Sequence, residues 1–400
     1  MKKSLVSIVK GPTNPSEKDI DNSVRKAIDL AGGLADIISS GDTVLIKPNV
    51  VNAYHPDTGA TTDPRVCKSI AIMVKEIGAK PIIVESSSIG ADTEESFQVA
   101  GYLKLRDEGF EVIDLKKEEN VTVPVPGGSV LKEISLPRIV VDTDAIISVP
   151  RMKTHEQAKV TLSLKNMKGV LPDIFKRKFH LTFGIFQGVA DLCTVIRPAL
   201  SVVDGIIAME GLGPTEGTPV KMGLIIAGKD PVAVDTTTGL VMGFEPGEDE
   251  TANAAAESHI GTADMSMIET VGESISSVKH IFKRADTAIN ELVAIPDDFQ
   301  LIFGEKACTG CRNSVLMSLK GLKENDLFDE AMGWTVIAGK VDKIPEADND
   351  HLLLVGKCTA RFKKNGIYID GCPPHGVNIA GGILGKIPTD ELTLDWQWIS

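Results

Sequence analysis

Six cysteines in 400 residues are too sparse for a disulfide scaffold. No stretch approaches the roughly 18–20 consecutive apolar residues that a membrane-spanning helix requires. Cations are in deficit: 42 Lys and Arg stand against 55 Asp and Glu, a net charge of −13. This argues against nucleic acid or an anionic membrane as a partner, because a phosphate-tracking surface needs clustered cations. No G-x-G-x-x-G follows a strand and no G-x-x-x-x-G-K-[ST] occurs, which removes the Rossmann fingerprint and the P-loop. No internal repeat is visible. The apolar run in MKKSLVSIVKGP stops at Lys10, Gly11 and Pro12, too early for a secretion signal, and reads as a first strand. What remains, 42% hydrophobic and 24% charged, is ordinary globular composition for about two to three domains. A soluble, cytoplasmic protein is expected.

The first 150 residues alternate strand and helix signals. Val44-Leu45-Ile46 is a buried-strand run. Between Pro64 and Gly78, residues Val66, Ile70, Met73, Val74 and Ile77 have helical spacing, with Pro suited to the start and Gly to the end. A strand at 80–85 leads into Ser86-Ser87-Ser88, a helix is expected over 93–108, and another strand over 111–115. This order predicts a parallel sheet with crossover helices. VTVPVP within 116–137 suggests edge strands or a hairpin. Ile139 to Val149 reads as strand, as do Leu200–Val203 and Leu224–Ala227, and 247–290 reads as helical. From about 298 short strands alternate with Cys- and Gly-rich loops. The predicted architecture is therefore α/β, with parallel or mixed sheets and crossover helices in two lobes over 1–295, a small Cys-rich metal-binding domain over 296–385, and a tail over 386–400.

Cys308 and Cys311 form a C-T-G-C, Cys358 stands alone after Gly-Lys, and Cys372 opens C-P-P-H-G. A CxxC presents two thiolates from one tight loop, and the other two come from loops flanked by Gly or Pro. Cys followed by Pro is also found at the last ligand of bacterial-type iron–sulfur runs. Four thiolates suit a [4Fe–4S] cluster, with a structural zinc as the runner-up, although zinc ribbons prefer two CxxC pairs. His375 reads as a loop histidine near that centre. Cys67 and Cys193 lie on apolar helical stretches and are expected to be buried as small hydrophobes.

A second concentration is basic. Within PRMKTHEQAKVTLSLKNMKG, at 150–169, stand Arg151, Lys153, His155, Lys159, Lys165 and Lys168, followed by Lys176, Arg177, Lys178 and His180. The block follows a strand end, where open α/β sheets place their ligand crevice. It is either a solvated basic face or a site for a carboxylate or phosphate. On the second reading His155, Lys153 and Lys165 are the catalytic candidates, and Asn166 lines the site with Lys47 and Asn49 opposite, as cofactor- or ligand-binding residues. Lys47-Pro48-Asn49, Thr61 to Arg65 and Glu85 to Ser88 are polar turns that one sheet edge can gather, and Thr62 or Asp63 is placed to cap the helix that follows. The Gly-rich stretch at 202–220 carries Asp204, Glu210 and Glu216 as further loop carboxylates, and Asp230 to Asp235 has the look of a helix start.

These residues resemble the DUF362 family. The resemblance rests on KPNVV at 47–51, TTDPRV at 61–66, the 150–169 block, DGIIAMEGLGPTEGTP at 204–219 and DPVAVD at 230–235, covering roughly 40–245. It implies a fold distantly similar to lactate racemase, but the racemase's histidine-bearing motifs are not recognisable in this sequence, so its nickel-cofactor chemistry is not carried over. Members of the family often append a ferredoxin-like module with repeated CxxCxxC runs, whereas this chain has a single four-cysteine set. The expectation is an iron–sulfur oxidoreductase, exchanging electrons through one [4Fe–4S] cluster with a partner protein or a small anionic substrate in an interlobe cleft. The alternatives are a non-redox racemase or lyase with a structural metal, and an assembly factor.

Overall fold

A computed structural model describes residues 3–285, 287, 298–304, 307, 309–345 and 349–386. The chain forms two compact units and passes from one to the other after His155, Lys159, Lys176, Ile185 and Phe282. The expected boundary near 295 and the tail beyond Lys386 lie outside the described residues.

The first unit is built on strands β1 (Ser4–Lys10), β2 (Thr43–Pro48), β3 (Lys80–Glu85), β4 (Glu111–Asp114), β5 (Asn120–Pro124), β6 (Glu133–Pro137), β7 (Ala145–Val149), β8 (Arg151–His155), β9 (Lys159–Thr161), β10 (Leu200–Glu210), β11 (Thr218–Gly228) and β12 (Ile268–Gly272). Ten of them make one sheet whose main order is β12-β1-β11-β10-β7-β2-β3-β4, with β8 beside β10 and β9 beside β8, while β5 and β6 pair separately as a hairpin. The pairs β7–β2, β2–β3 and β3–β4 are parallel, whereas β10–β11 and β11–β1 are antiparallel. Alternate residues serve opposite faces, as the period of a strand requires. Val202, Ile225 and Ala227 join the core under the helices α1 (Glu17–Leu30) and α2 (Pro64–Glu76). Their neighbours Val203, Leu224 and Ile226 join a second core with Ala233 and Val234.

Helix α2 starts and stops as its sequence predicts. Asp63 caps it by accepting from Arg65 N at 2.9 Å, Pro64 occupies its first turn, and Gly78 follows in a left-handed conformation at φ +87°. Three expectations need correction. The helix expected over 93–108 is two, α3 (Thr93–Ala100) and α4 (Leu103–Asp107), because Gly101 takes φ +87° between them. The strand expected over 139–149 starts only at Ala145; Arg138–Val141 is a helical turn, the apolar run there being too short to separate strand from helix. Residues 247–290 are not all helical, since Ile268–Gly272 pairs in parallel with β1 at the sheet edge.

In the second unit β13 (Gln300–Phe303), β14 (Thr335–Ala338), β15 (Leu352–Val355) and β16 (Ile367–Ile369) form a parallel four-stranded sheet in sequential order. Its helices are Thr309–Glu324 and Gly376–Ile383. Fully buried Val336, Ile337, Leu353 and Leu354 are the near-continuous apolar runs of strands covered on both faces. Among the described residues no helix is long and apolar enough to cross a membrane.

Candidate functional site

From β2 the chain steps outward to β3 and β4, then returns to lay β7 along the other side of β2. Strand order reverses between β2 and β7, the position at which open α/β sheets bind ligands outside their carboxyl ends. Lys47 and Asn49 leave β2 at that point, Ser148 lies on β7, and Asn166 stands between them. Asn166 Nδ2 donates to Lys47 O at 2.8 Å and Ser148 Oγ at 3.1 Å. Its Oδ1 accepts from Lys47 Nζ at 3.2 Å and Asn49 Nδ2 at 3.3 Å. The three residues expected to bind a cofactor or ligand are thus gathered at one place. Asn49 Oδ1 is buried there with no hydrogen-bond donor among the described residues, so the cluster retains one open acceptor.

Glu85, at the end of β3, completes this cluster. Its carboxylate lies 2.9 Å from Lys47 Nζ and accepts from Val50 N at 2.6 Å and Ser86 N at 2.8 Å. Gly169 lies over the pair: a Cβ there would stand 2.6 Å from Lys47 Nζ and 2.7 Å from Glu85 Oε1. Burial pushes the Lys47 ammonium below its ordinary value, and the Glu85 charge works against that. The sequence signal for Glu85 was its turn, ESSS, after a buried strand.

The first cations of the basic block and Lys176 are internal, while Lys159, Lys165 and Lys168 are half-buried. Arg151 and Lys153 are at most 1% exposed and His155 is 5% exposed. Arg151 pairs with Asp204 and donates to Pro56 O, while Asp204 also accepts from Asp63 N at 2.8 Å. Burial pushes the Asp204 carboxyl up, partly offset by Arg151. Lys153 Nζ donates to Ala60 O at 2.6 Å and Pro214 O at 3.1 Å. Lys176 Nζ donates to Ser86 Oγ at 2.6 Å, Ser86 O at 2.8 Å and Asp173 at 3.1 Å. Desolvation pushes Lys176 down to about 8 against the pull of Asp173. These cations fasten the loops after β2, β3 and β10 to the sheet. Of the catalytic candidates, Lys153 and His155 share β8, and half-buried Lys165 sits one residue before Asn166 on the short helix Ser163–Asn166.

That helix is set by Asp235, which the sequence places only near a helix start. Its oxygens accept from Ser163 N at 2.8 Å and Leu164 N at 2.9 Å, two donors that a helix start leaves open. Burial, and then the charge of Asp249, pushes the Asp235 carboxyl far up.

In the second unit the described cysteines lie on three separate segments. Cys311 is buried in the helix Thr309–Glu324, Cys358 is exposed on the 3-10 helix Lys357–Phe362, and Cys372 is half-buried before the helix Gly376–Ile383. Cys308 lies outside the described residues. Gly356, at φ +85°, faces Cys311: a Cβ on it would stand 3.1 Å from Cys311 Sγ and 3.4 Å from Gly371 O. Lys357 N donates to Gly371 O at 3.0 Å, so the loops of Cys358 and Cys372 are tied together beside Cys311. On the far side, a Cβ on Gly184 would lie 3.7 Å from Cys372 Sγ, and Cys372 N donates to His180 O at 3.4 Å. Tyr368, whose hydroxyl is pushed up by burial and by its bond to Asp370, also senses charge on Cys358 and Cys372. Among the described residues no set of three or more His, Cys, Asp or Glu side chains is placed to hold a metal ion. His375 caps its helix, its Nδ1 accepting from Val377 N at 3.3 Å. Cys67 and Cys193 are fully buried, as expected, and burial pushes both thiols up.

Comparison with known proteins agrees with the resemblance read from the motifs. Residues 44–238 match the family model described as a domain of unknown function, DUF362. A thylakoid-associated protein of Synechocystis is 28% identical over 230 residues, which are 56% of this chain and 70% of that protein. Among solved structures, the lactate racemase apoprotein of Thermoanaerobacterium thermosaccharolyticum is similar with a TM-score of 0.41 and 12% identity, covering 98% of this chain and 94% of that one.

Proposed function

Residues 44–238 of this chain belong to the DUF362 family, and from that premise we propose that the protein is an iron–sulfur redox protein. Cys308, Cys311, Cys358 and Cys372 would be the ligands of one [4Fe–4S] cluster. One observation carries the proposal. Gly356, just ahead of Cys358, lies against both the Cys311 sulfur and the carbonyl of Gly371, just ahead of Cys372, and side chains on Gly356 or Gly184 would occupy the space against the Cys311 and Cys372 sulfurs. Thiolate donors from separate Gly-flanked loops fit an iron–sulfur group, which supplies one-electron transfer at a potential set by ligands, hydrogen bonds to sulfur and exposure. The glycines let backbone approach the sulfurs, and the Lys357 N to Gly371 O bond fixes the spacing of two loops. Exposed Cys358 is the side on which an electron enters or leaves. A cytoplasmic setting, reducing enough to keep thiols unoxidised, suits this chemistry.

For the DUF362 domain, the reading assigns recognition of a small anionic ligand to Asn49 and Asn166 at the β2–β7 reversal. The open acceptor Asn49 Oδ1 would take a hydroxyl or N–H donor of that ligand rather than its anionic group, since a buried oxygen without a donor is costly. Lys47 there orients Asn166, and His155 is the acid–base candidate. Single Cys→Ser variants of the four cysteines test the redox half: each should lose the visible absorption and most of the iron of the parent protein. Full iron in all four variants would overturn it.

A further inference from the structure

Around Cys358 the surface is basic, against the sign of the whole chain. The segment Lys357-Cys358-Thr359-Ala360-Arg361-Phe362-Lys363-Lys364 holds four cations and no acid, in a protein of net charge −13. Lys357, Cys358, Arg361, Lys363 and Lys364 are all exposed. They ride on the 3-10 helix Lys357–Phe362 and its helical cap Lys363, where residues three apart lie along one face. Cys358 and Arg361 share such a face, and Lys364 follows at the same spacing.

Two of these cations are held in place. Lys357 Nζ donates to Thr182 O, and Arg361 donates to Val341 O with Asp342 3.8 Å away. The side chains of Lys363 and Lys364 make no hydrogen bond or ion pair among the described residues, and both residues are exposed, so their charge is directed to solvent. Asp370 on the neighbouring loop accepts from Tyr368 Oη at 2.9 Å and Gly371 N at 2.8 Å, and the four cations of the segment outnumber it.

Resting on the redox reading above, we propose that this patch is the docking surface for an acidic one-electron carrier protein, seated over Cys358. A negative carrier is repelled by the net charge of the molecule and attracted to this patch, so charge orients the encounter. In the transfer that follows, a reduced carrier loses one electron and the cluster-bearing unit gains one; no bond forms and no proton moves.

The probe is an acidic plant-type [2Fe–2S] ferredoxin, with basic cytochrome c as the control, and the readout is the dissociation constant with the full-length protein at low and at physiological salt. Complementary charge predicts binding of the ferredoxin that weakens at least tenfold with salt, and at least tenfold in Lys363→Glu/Lys364→Glu, with iron content and circular dichroism unchanged. Equal affinity of the double variant, or preference for cytochrome c, would overturn the docking surface. Iron content is measured on the same samples: loss of the iron reading with salt-sensitive ferredoxin binding retained would sink the cluster and not the patch.

Discussion

Replacing Lys47 by Met separates a structural tie from a reacting group. Lys47 Nζ is surrounded by Pro48 O at 2.6 Å, Glu85 Oε1 at 2.9 Å and Asn166 Oδ1 at 3.2 Å, one acceptor for each of its N–H bonds. Methionine keeps most of the stem and removes the charge, leaving Glu85 at 2% exposure with only the Val50 and Ser86 amides. Breaking a buried pair by deleting one partner costs about 3–5 kcal/mol. The two amide donors that remain put this loss near the lower end, about 3 kcal/mol. Urea unfolding followed by far-ultraviolet circular dichroism measures it through the midpoint and slope. Trp334, Trp396 and Trp398 all follow residue 282, so tryptophan fluorescence monitors the remainder of the chain in the same titration. The double variant Lys47→Met/Glu85→Gln, with both charges gone, should recover at least half of the loss. A Lys47→Met protein of parental stability, or a double variant no more stable than the single one, would refute the reasoning.

Three further outcomes follow from the same geometry. Lys176, held at about 8 against an ordinary 10.5, is protonated more in the unfolded chain between those values. The stability of the first unit should therefore rise as pH goes from 8 to 10.5, by about 3 kcal/mol at most, and Lys176→Met should flatten that rise in urea titrations. Asp235→Ala leaves the Ser163 and Leu164 amides without acceptors and should cost about 2–4 kcal/mol, with shifts of the Asn166 side-chain amide resonances; unchanged resonances would contradict its positioning role. Gly356→Ala combines a Cβ 3.1 Å from Cys311 Sγ with φ +85° and should lower bound iron severalfold; full iron loading would contradict the cradle.

The parts of the fold most legible in the sequence were those where local chemistry acts alone. The strands read at 44–46 and 80–85, the Pro64 start of α2 and the short strands after 298 are each marked by apolar runs or turn residues; 80–85 occurs as read, and 44–46 extends to Thr43–Pro48. The cluster of Lys47, Asn49 and Asn166 was legible because polar turns follow buried parallel strands. Three things were not legible. Pairing of Ile268–Gly272 with β1 is a long-range contact that no local pattern encodes. Burial of Arg151, Lys153 and Lys176 was hidden because their acceptors are mostly backbone carbonyls, which carry no residue signature. The passage of 156–159 and 177–185 into the second unit depends on tertiary packing, of Glu156 and Gln157 on Asn313 and Ser314 and of His180 and Gly184 on the Cys372 loop, and the basic composition of 177–180 gives no sign of it.

The central claim is the cluster, and metal analysis tests it most directly. Iron, zinc and acid-labile sulfide are measured on anaerobically purified full-length protein, together with an electron paramagnetic resonance spectrum after dithionite reduction. The account predicts about four irons and four sulfides per chain and a reduced-state signal. One zinc per chain with no sulfide would contradict it and make the four-cysteine site structural.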